Sequence, residues 1–271
     1  MLYFYGLKLG FQSLFWGRLS KKTAALLVMP VNYWRVAEYR LAHNALNPRG
    51  TDVILDIGSP KLFSLFLAEK YGVEIYPTDI EDYFLEEYEF HRSLLPKHSA
   101  DKIHCSVQDG RNLTMQDSMF DKVYSISVIE HIPDMGDSTC LQEIYRVLKP
   151  GGRCVLTIPF APTGRDEFRD GNFYWAGSSK QDSSNRVFFQ RRYSEQDIHD
   201  RLITPSQMKL VSLEYVGERI LTKSNKELAT YLPYVLGPLH PMMAHLFLTK
   251  PAADWRSLKK PLCAVVILEK P

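Results

Sequence analysis

The first feature that could take part in chemistry is an apolar run that contains an acid near its end and is followed by a glycine. The run is Val53–Ile57, which includes Asp56, and Gly58 and Ser59 follow it. This pattern predicts a buried parallel strand that opens into a ligand-binding turn, where a glycine lets the backbone pass close to the ligand. A carboxylate at such a turn would repel a phosphate, whereas it would attract an ammonium or sulfonium group. We therefore expect a positively charged ligand.

The residues beyond this turn argue against a dinucleotide. Pro60 and Lys61 stand where the later glycines of a dinucleotide fingerprint would continue. A pyrophosphate cradle, and with it a nicotinamide oxidoreductase, is therefore not expected.

Three more predicted strands also end in polar residues. Asp79 follows the second strand, about 20 residues beyond the first turn, where α/β nucleotide sites keep a carboxylate for ribose hydroxyls. The third and fourth runs end in two pairs of neighbouring residues, Asp109 with Gly110 and Glu130 with His131. Because parallel strands end at one edge of a sheet, all of these side chains are expected to meet there.

Helical and strand patterns alternate between these sites. Asp137 is predicted to cap a helix that carries apolar residues at helical spacing and stops at Pro150-Gly151-Gly152. A fifth strand, Cys154 to Ile158, follows. The alternation predicts an α/β fold.

Four motifs together resemble class I S-adenosylmethionine-dependent methyltransferases, and the small-molecule quinone and lipid methyltransferases in particular. They are D-I-G-S at 56–59, the acid Asp79, V-I-E-H-I at 128–132 and R-V-L-K-P-G-G at 146–152. The resemblance spans roughly residues 50–160. It implies a Rossmann-like, seven-stranded, mostly parallel sheet with helices on both faces and an antiparallel last strand, here Cys263 to Leu268 beside Leu210 to Val216.

The resemblance also implies S-adenosylmethionine as the cofactor and assigns residues to its parts. Asp56, Gly58 and Ser59 would surround the methionine moiety, and Asp79 with Ile80 would bind the ribose. The adenine would lie at Asp109 and Gly110, and Ser127 would line the channel through which the methyl group passes. Pro60 departs from the family pattern, since a second glycine belongs at that position.

His131 is the candidate general base, because an imidazole at the end of a strand can accept a proton from a hydroxyl nucleophile. The alternative is that His131 only packs beneath the channel. Glu130-His131 also resembles the metal motif E-x-x-E-H of some quinone O-methyltransferases. Ser127 replaces its first glutamate, so no metal is expected.

The long connection Phe160 to Tyr193 follows the fifth strand and is predicted to supply walls for the acceptor, or else to be a solvated loop. With Glu130, its candidate substrate contacts are Arg165, Tyr174, Trp175 and Arg192.

Composition predicts one main domain. The chain has 271 residues and is 45% hydrophobic, and its four cysteines are expected to be reduced packing residues of a cytoplasmic protein. We divide it into an N-terminal flank (1–46), a cofactor-binding core (47–218), an insertion (219–262) and a last core strand (263–271).

Basic charge is concentrated in the two flanking segments, although the net charge is only +2. Residues 1–37 contain five basic residues, no acid and eight aromatic rings, and residues 219–263 contain seven basic and two acidic residues. Prolines would break a spanning helix within the uncharged stretch 228–249, and the N-terminus does not read as a signal peptide. One hypothesis is therefore a cap that docks on the inner face of a membrane through 1–37 and 228–260. The alternatives are a lid over a soluble substrate and a homodimer contact.

The predicted function is S-adenosylmethionine-dependent methyl transfer to a small, hydrophobic or lipid-like acceptor, with oxygen favoured as the methylated atom. The alternative, motivated by Pro60, is a degenerate fold that acts as a non-catalytic scaffold. No nucleic-acid-binding module is evident, so nucleic acid is not an expected partner.

Overall fold

The computed structural model describes residues 1–171, 180–219 and 237–271. The strands within these ranges are β1 Val53–Ile57, β2 Glu74–Asp79, β3 Ser106–Val107, β4 Phe120–Ile126, β5 Leu148–Pro159, β6 Arg165–Arg169, β7 Val187–Arg192, β8 Lys209–Gly217 and β9 Pro261–Glu269. The helices of the described parts are α1 Leu2–Phe15, α2 Lys21–Val28, α3 Tyr33–Leu46, α4 Leu62–Tyr71, α5 Tyr83–Arg92, α6 Lys97–Ala100, α7 Gly136–Val147, α8 Glu195–Asp197, α9 Thr204–Ser206 and α10 His240–Phe247. A π-helical segment, Ile198–Ile203, joins α8 to α9.

Seven strands form one sheet in the order β3-β2-β1-β4-β5-β9-β8. Strands β1 to β5 are parallel, whereas β9 runs antiparallel to both β5 and β8. The predicted fold and the predicted antiparallel pair of last strands are confirmed. The strand order reverses between β1 and β4, and this is the crevice at which open α/β sheets bind ligands.

The connection after β5 is not a plain loop. It forms a two-stranded hairpin of β6 and β7 beside the main sheet. Its strands are only half-buried and highly charged, and the sequence pattern therefore lacked the apolar alternation by which a strand is recognised. Tyr174 and Trp175 lie outside the described residues.

The two flanks are in contact with each other where they are described. The ring of Tyr33 at the start of α3 stacks on His240 of α10, and the Tyr33 amide donates a hydrogen bond of 2.7 Å to His240 Nδ1. Gly237 lies against the backbone of Val28, leaving no room for a Cβ atom. Among the described residues, no helix is long and apolar enough to cross a membrane.

Asp137 does not cap α7, which begins at Gly136 with Met135 as its N-cap. Its carboxylate is fully buried and forms ion pairs of 2.8 Å with Arg191 of β7 and with Arg201, and it accepts a hydrogen bond from Tyr193. A carboxylate can remain charged in the core only with such partners. The cluster joins α7 to the hairpin and to the segment after it.

We expect Asp137→Ala to destabilise the fold by about 3–5 kcal/mol, because the change removes the only acidic partner of Arg201 among the described residues and leaves the buried Arg191 with Asp166 alone. The measurement is the free energy of unfolding in urea. Asp117→Ala is the control: Asp117 also pairs with an arginine, Arg146, but its side chain is 76% exposed, and the expected loss is below about 1 kcal/mol. Equal losses in the two variants would contradict a structural role for the Asp137 cluster.

Candidate functional site

The turn after β1 is held by the carboxylate of Asp56. One oxygen accepts a hydrogen bond from the Ser59 amide (3.0 Å), and the other accepts from Ser64 Oγ (2.5 Å) and Tyr124 OH (2.9 Å). Burial raises the pKa of Asp56 to about 6, although these hydrogen bonds act to lower it. The carboxylate thus bonds within the protein and shapes the turn, and its contact with the cofactor's methionine part stays a prediction.

Gly58 and Ser59 fix the turn against the end of β4. Gly58 has φ +65°, and a Cβ atom there would lie 2.7 Å from Val128 Cγ1, so both conformation and space require glycine. Ser59 Oγ accepts a hydrogen bond of 2.9 Å from the amide of Ile126. The turn keeps these contacts with Pro60 in the position where the family pattern has glycine.

The ends of β2 and β3 supply the other predicted cofactor residues. Asp79 accepts a hydrogen bond from the Glu81 amide, partial burial raises its pKa, and the neighbouring Ile80 is 40% exposed. Asp109 instead pairs with Arg111 at 2.7 Å, and the hydrogen bonds from Arg111 lower its pKa.

The carboxylate of Asp79 and the apolar side chain of Ile80 lie side by side at the end of β2. They suit the hydroxyls of a ribose and the edge of a base. The left-handed conformation of Gly58 shapes the turn beside them. The residues present therefore fit S-adenosylmethionine. The contacts of Asp79, Ile80, Asp109 and Gly110 with it stay predictions.

A cavity of about 620 Å³ lies beside this edge, over the ends of β4, β5 and β9. Its walls come from α3, from strand β7 of the hairpin and from the residues that flank them. They are lined by Met29, Asn32, Tyr33, Trp34, Arg35, Glu38, Ser127, Glu130, His131, Pro159, Phe189, Gln190, Arg192, Glu218, His240, Leu262 and Cys263.

Glu38 of α3 connects this cavity to the sheet. The carboxylate is only 2% exposed, accepts hydrogen bonds from Ser127 Oγ (2.5 Å) and Thr157 Oγ1 (3.3 Å), and pairs with Arg35 at 2.7 Å. Ser127 itself has φ +51°, a left-handed conformation that is costly for a residue with a side chain. The hydrogen bond to Glu38 helps to hold it there.

Glu130 and His131 lie together in the cavity wall. Glu130 is 1% exposed, and its Oε2 atom has no hydrogen-bond partner among the residues that the structure describes. Burial raises its pKa to about 8. His131 Nδ1 is 2.6 Å from the carbonyl oxygen of Phe189, so this nitrogen carries the hydrogen and the ring's basic atom is Nε2. Burial lowers the pKa of His131, which favours the neutral ring.

The predicted substrate contacts differ in their positions. Arg192 lines the cavity and donates a hydrogen bond of 2.6 Å to Glu167. Arg165 does not line it: its side chain is 55% exposed and lies 3.3 Å from Glu167. Within the described ranges, no group of three or more His, Cys, Asp or Glu residues is arranged to hold a metal ion.

Sequence reasoning missed the contribution of α3. Trp34, Arg35 and Glu38 are not among the site residues predicted from the sequence, whereas all three line the cavity. The available signal was a charged pair at i,i+3 within a helix that precedes the first strand. Arg40, the other cation in that helix, is exposed.

Comparisons with known proteins agree with this geometry. A protein-family model described as a methyltransferase domain matches residues 55–156. Phosphoethanolamine N-methyltransferase 2 of Caenorhabditis elegans is 28% identical over 92 residues, which are 34% of this chain and 20% of that protein. The chain thus matches about a fifth of the length of this curated relative.

Two solved structures illustrate the likeness of fold. A methyltransferase from Methanosarcina mazei is 20% identical, has a TM-score of 0.53, and the match covers 85% of this chain and 96% of that one. Geranyl diphosphate C-methyltransferase from Streptomyces coelicolor A3(2), solved with S-adenosyl-L-homocysteine, is 10% identical with a TM-score of 0.55, and the match covers 87% and 80%. These structural likenesses show the fold, and the family match over residues 55–156 identifies the domain. The chain carries a class I S-adenosylmethionine-dependent methyltransferase domain.

Proposed function

We propose that the protein transfers the methyl group of S-adenosylmethionine to a small, hydrophobic or lipid-like acceptor, with oxygen as the favoured acceptor atom. One observation carries this proposal. The cavity of about 620 Å³ opens beside the end of β4, where Ser127 borders it and Ser59 ties the cofactor turn to the same strand. Donor and acceptor would therefore meet over that strand end.

The lining of the cavity supports an amphipathic acceptor. Apolar and aromatic side chains, including Tyr33, Trp34 and Phe189, make up much of its wall, while Glu130 and His131 provide a polar group. Such a site buries an apolar body and orients one polar atom. Size is compatible, because small-molecule sites commonly have volumes of about 300–1,000 Å³.

His131 can accept the proton of the acceptor hydroxyl, and Glu130 lies beside it. When bound, the cofactor supplies a methyl group on a sulfonium sulfur: the acceptor oxygen forms a bond to the methyl carbon as the carbon–sulfur bond breaks. The hydroxyl proton passes to His131 Nε2. Glu130 Oε1 lies 3.8 Å from this nitrogen. Because burial raises the pKa of Glu130 to about 8, its carboxyl is ionised and able to stabilise the imidazolium only towards alkaline pH. Phe189 holds the ring in the required tautomer through its carbonyl oxygen.

Nitrogen is the second candidate acceptor atom. Two carboxyl groups, Glu38 and Glu130, line the cavity, and their oxygens could accept hydrogen bonds from an amine. The curated relative carries the name of an N-methyltransferase. A panel of matched alcohols and amines, assayed with radiolabelled S-adenosylmethionine, separates the two.

The non-catalytic scaffold is not favoured. Pro60 motivated that alternative, yet the turn around it retains its internal hydrogen bonds and the glycine conformation at position 58. The matched family is itself described as a methyltransferase domain.

Calorimetric titration with S-adenosylmethionine tests the cofactor site. We expect binding by the native protein and about tenfold weaker binding by Asp79→Asn, because loss of the charged acceptor weakens hydrogen bonds to the ribose by about 1.5 kcal/mol. Asp82→Asn, a nearby exposed carboxylate, is the control and should bind normally. No heat from the native protein would refute the proposed function.

The His131→Asn variant tests the proton acceptor, because asparagine can still donate to the Phe189 carbonyl but cannot accept a proton at neutral pH. We expect kcat to fall about 100-fold with little change in KM. Since the neutral ring is the active form and burial lowers its pKa, the native rate should fall only as pH drops below the ordinary histidine range. An unchanged kcat with a lower melting temperature would assign His131 a packing role.

The Glu130→Gln variant tests the buried proton. Burial raises the folded pKa from 4.5 to about 8, so between these values the folded protein holds a proton that the unfolded chain releases. Stability of the native protein should therefore decline as pH rises through this window, by at most about 1.4 kcal/mol per pH unit. Urea unfolding between pH 6 and 8, above the raised pKa of Asp56, should show this slope in the native protein and in Glu89→Gln, an exposed control, and a smaller slope in Glu130→Gln. Identical slopes in all three proteins would contradict the buried proton.

A further inference from the structure

Helix α1 has an exposed apolar face that no described part of the chain covers. Its inner face packs into the core through residues that include Tyr5 and Leu9. Its outer face and the turn that follows carry large apolar side chains with high exposure: Phe4 65%, Phe11 60%, Leu14 42%, Phe15 89%, Trp16 49% and Leu19 80%. We call these six residues the α1 face. Clustered exposed aromatic residues indicate an interaction surface, whereas single ones are common.

Helix geometry makes this a continuous stripe. Phe4, Phe11 and Phe15 are separated by seven and four residues, so they project from one side of the helix. The most exposed members, Phe15 and Leu19, lie at the α1–α2 turn. Exposed apolar side chains at a turn between two helices can enter the interfacial region of a bilayer.

The charges around the α1 face indicate which medium. Arg18 and Lys21 are exposed next to the tip, and Lys22 is half-buried beside them. The first 37 residues contain no acid. The Arg18 guanidinium lies over the ring of Trp16, 5.7 Å from the ring centroid. Aromatic rings with adjacent cations are typical of segments that lie at the headgroup level of an anionic bilayer.

The position of this face relative to the cavity adds a reason. Helix α2 follows the tip and packs against α1 through the contacts of Gly10 with Leu26 and Leu27. The residues directly after α2, including Met29, Asn32 and Tyr33, line the cavity. The same helical cap therefore carries the exposed tip and forms part of the acceptor wall.

We propose that the α1 face docks the protein on the surface of an anionic lipid bilayer, with the Phe and Trp side chains in the interfacial region and Arg18, Lys21 and Lys22 against the headgroups. Docking would bring the cavity to the source of an amphipathic acceptor. The surface stands on its own exposure and charge, so it can be tested separately from methyl transfer.

Co-sedimentation with vesicles tests the proposal, using the full chain and phosphatidylcholine vesicles with or without phosphatidylglycerol. We expect binding to the anionic vesicles that weakens with added salt. The double variant Phe11→Ser/Phe15→Ser should bind at least tenfold more weakly, because each buried ring contributes strongly to insertion. Lys21→Gln should lose about fivefold, as expected for one cation near an anionic surface.

Two variants on β8 serve as matched controls. Val211 is 46% exposed and Lys209 is also exposed, but both lie on the edge strand of the sheet. Val211→Ser and Lys209→Gln should bind vesicles like the native protein. Circular dichroism melting curves confirm that each variant is folded, and the high exposure of Phe11 and Phe15 makes serine tolerable there.

Three outcomes would overturn the proposal. The first is a native protein that ignores anionic vesicles at low salt. The second is equal loss of binding in the α1 and β8 variants, which would indicate non-specific adsorption. The third is a dimer in light scattering that Phe11→Ser/Phe15→Ser converts to a monomer without vesicle binding, because the α1 face would then be a contact between two copies of the chain. Methyl transfer to a soluble acceptor would be unaffected by any of these results.

Discussion

The carboxylate of Asp56 is the interaction on which the geometry of the site depends. It bonds to the backbone of its own turn, to a serine of α4 and to a tyrosine of β4. Three elements are thereby joined at the point where the strand order of the sheet reverses. Each of these hydrogen bonds is needed to stabilise the carboxylate, because a buried carboxylate that lost one partner would still bear the free-energy cost of its desolvation. The turn is thus rigid before any ligand arrives.

Much of this arrangement was predictable from local patterns. Apolar runs that end in Asp56 and Asp79 are sufficient to identify β1, β2 and the ligand-bearing edge, since parallel strands end together. The role of Asp56 was less accessible, because a residue type and a position do not reveal which way a carboxylate points. Its partners Ser64 and Tyr124 are 8 and 68 residues away in the chain.

The acceptor cavity was harder to predict for a different reason. Its walls come from α3, from the end of β4 and from β7, and these elements meet only through tertiary packing. The hairpin residues Phe189 and Arg192 are half-buried in a charged strand, where no periodicity distinguishes them from a surface loop. Glu38 is a buried acid on a helix, and its residue type alone does not distinguish it from an acid that is exposed to solvent.

The buried Asp137 cluster has a consequence for how substrate range can evolve. It anchors the β6–β7 hairpin through Arg191, whose neighbours Gln190 and Arg192 face the cavity. The anchor and the selective side chains thus alternate along one strand. Exchange of the cavity-facing positions leaves the ion pair between Arg191 and Asp137 intact. If the cavity holds the acceptor as proposed, single substitutions in this hairpin could diversify acceptor preference without detaching the strand that carries them.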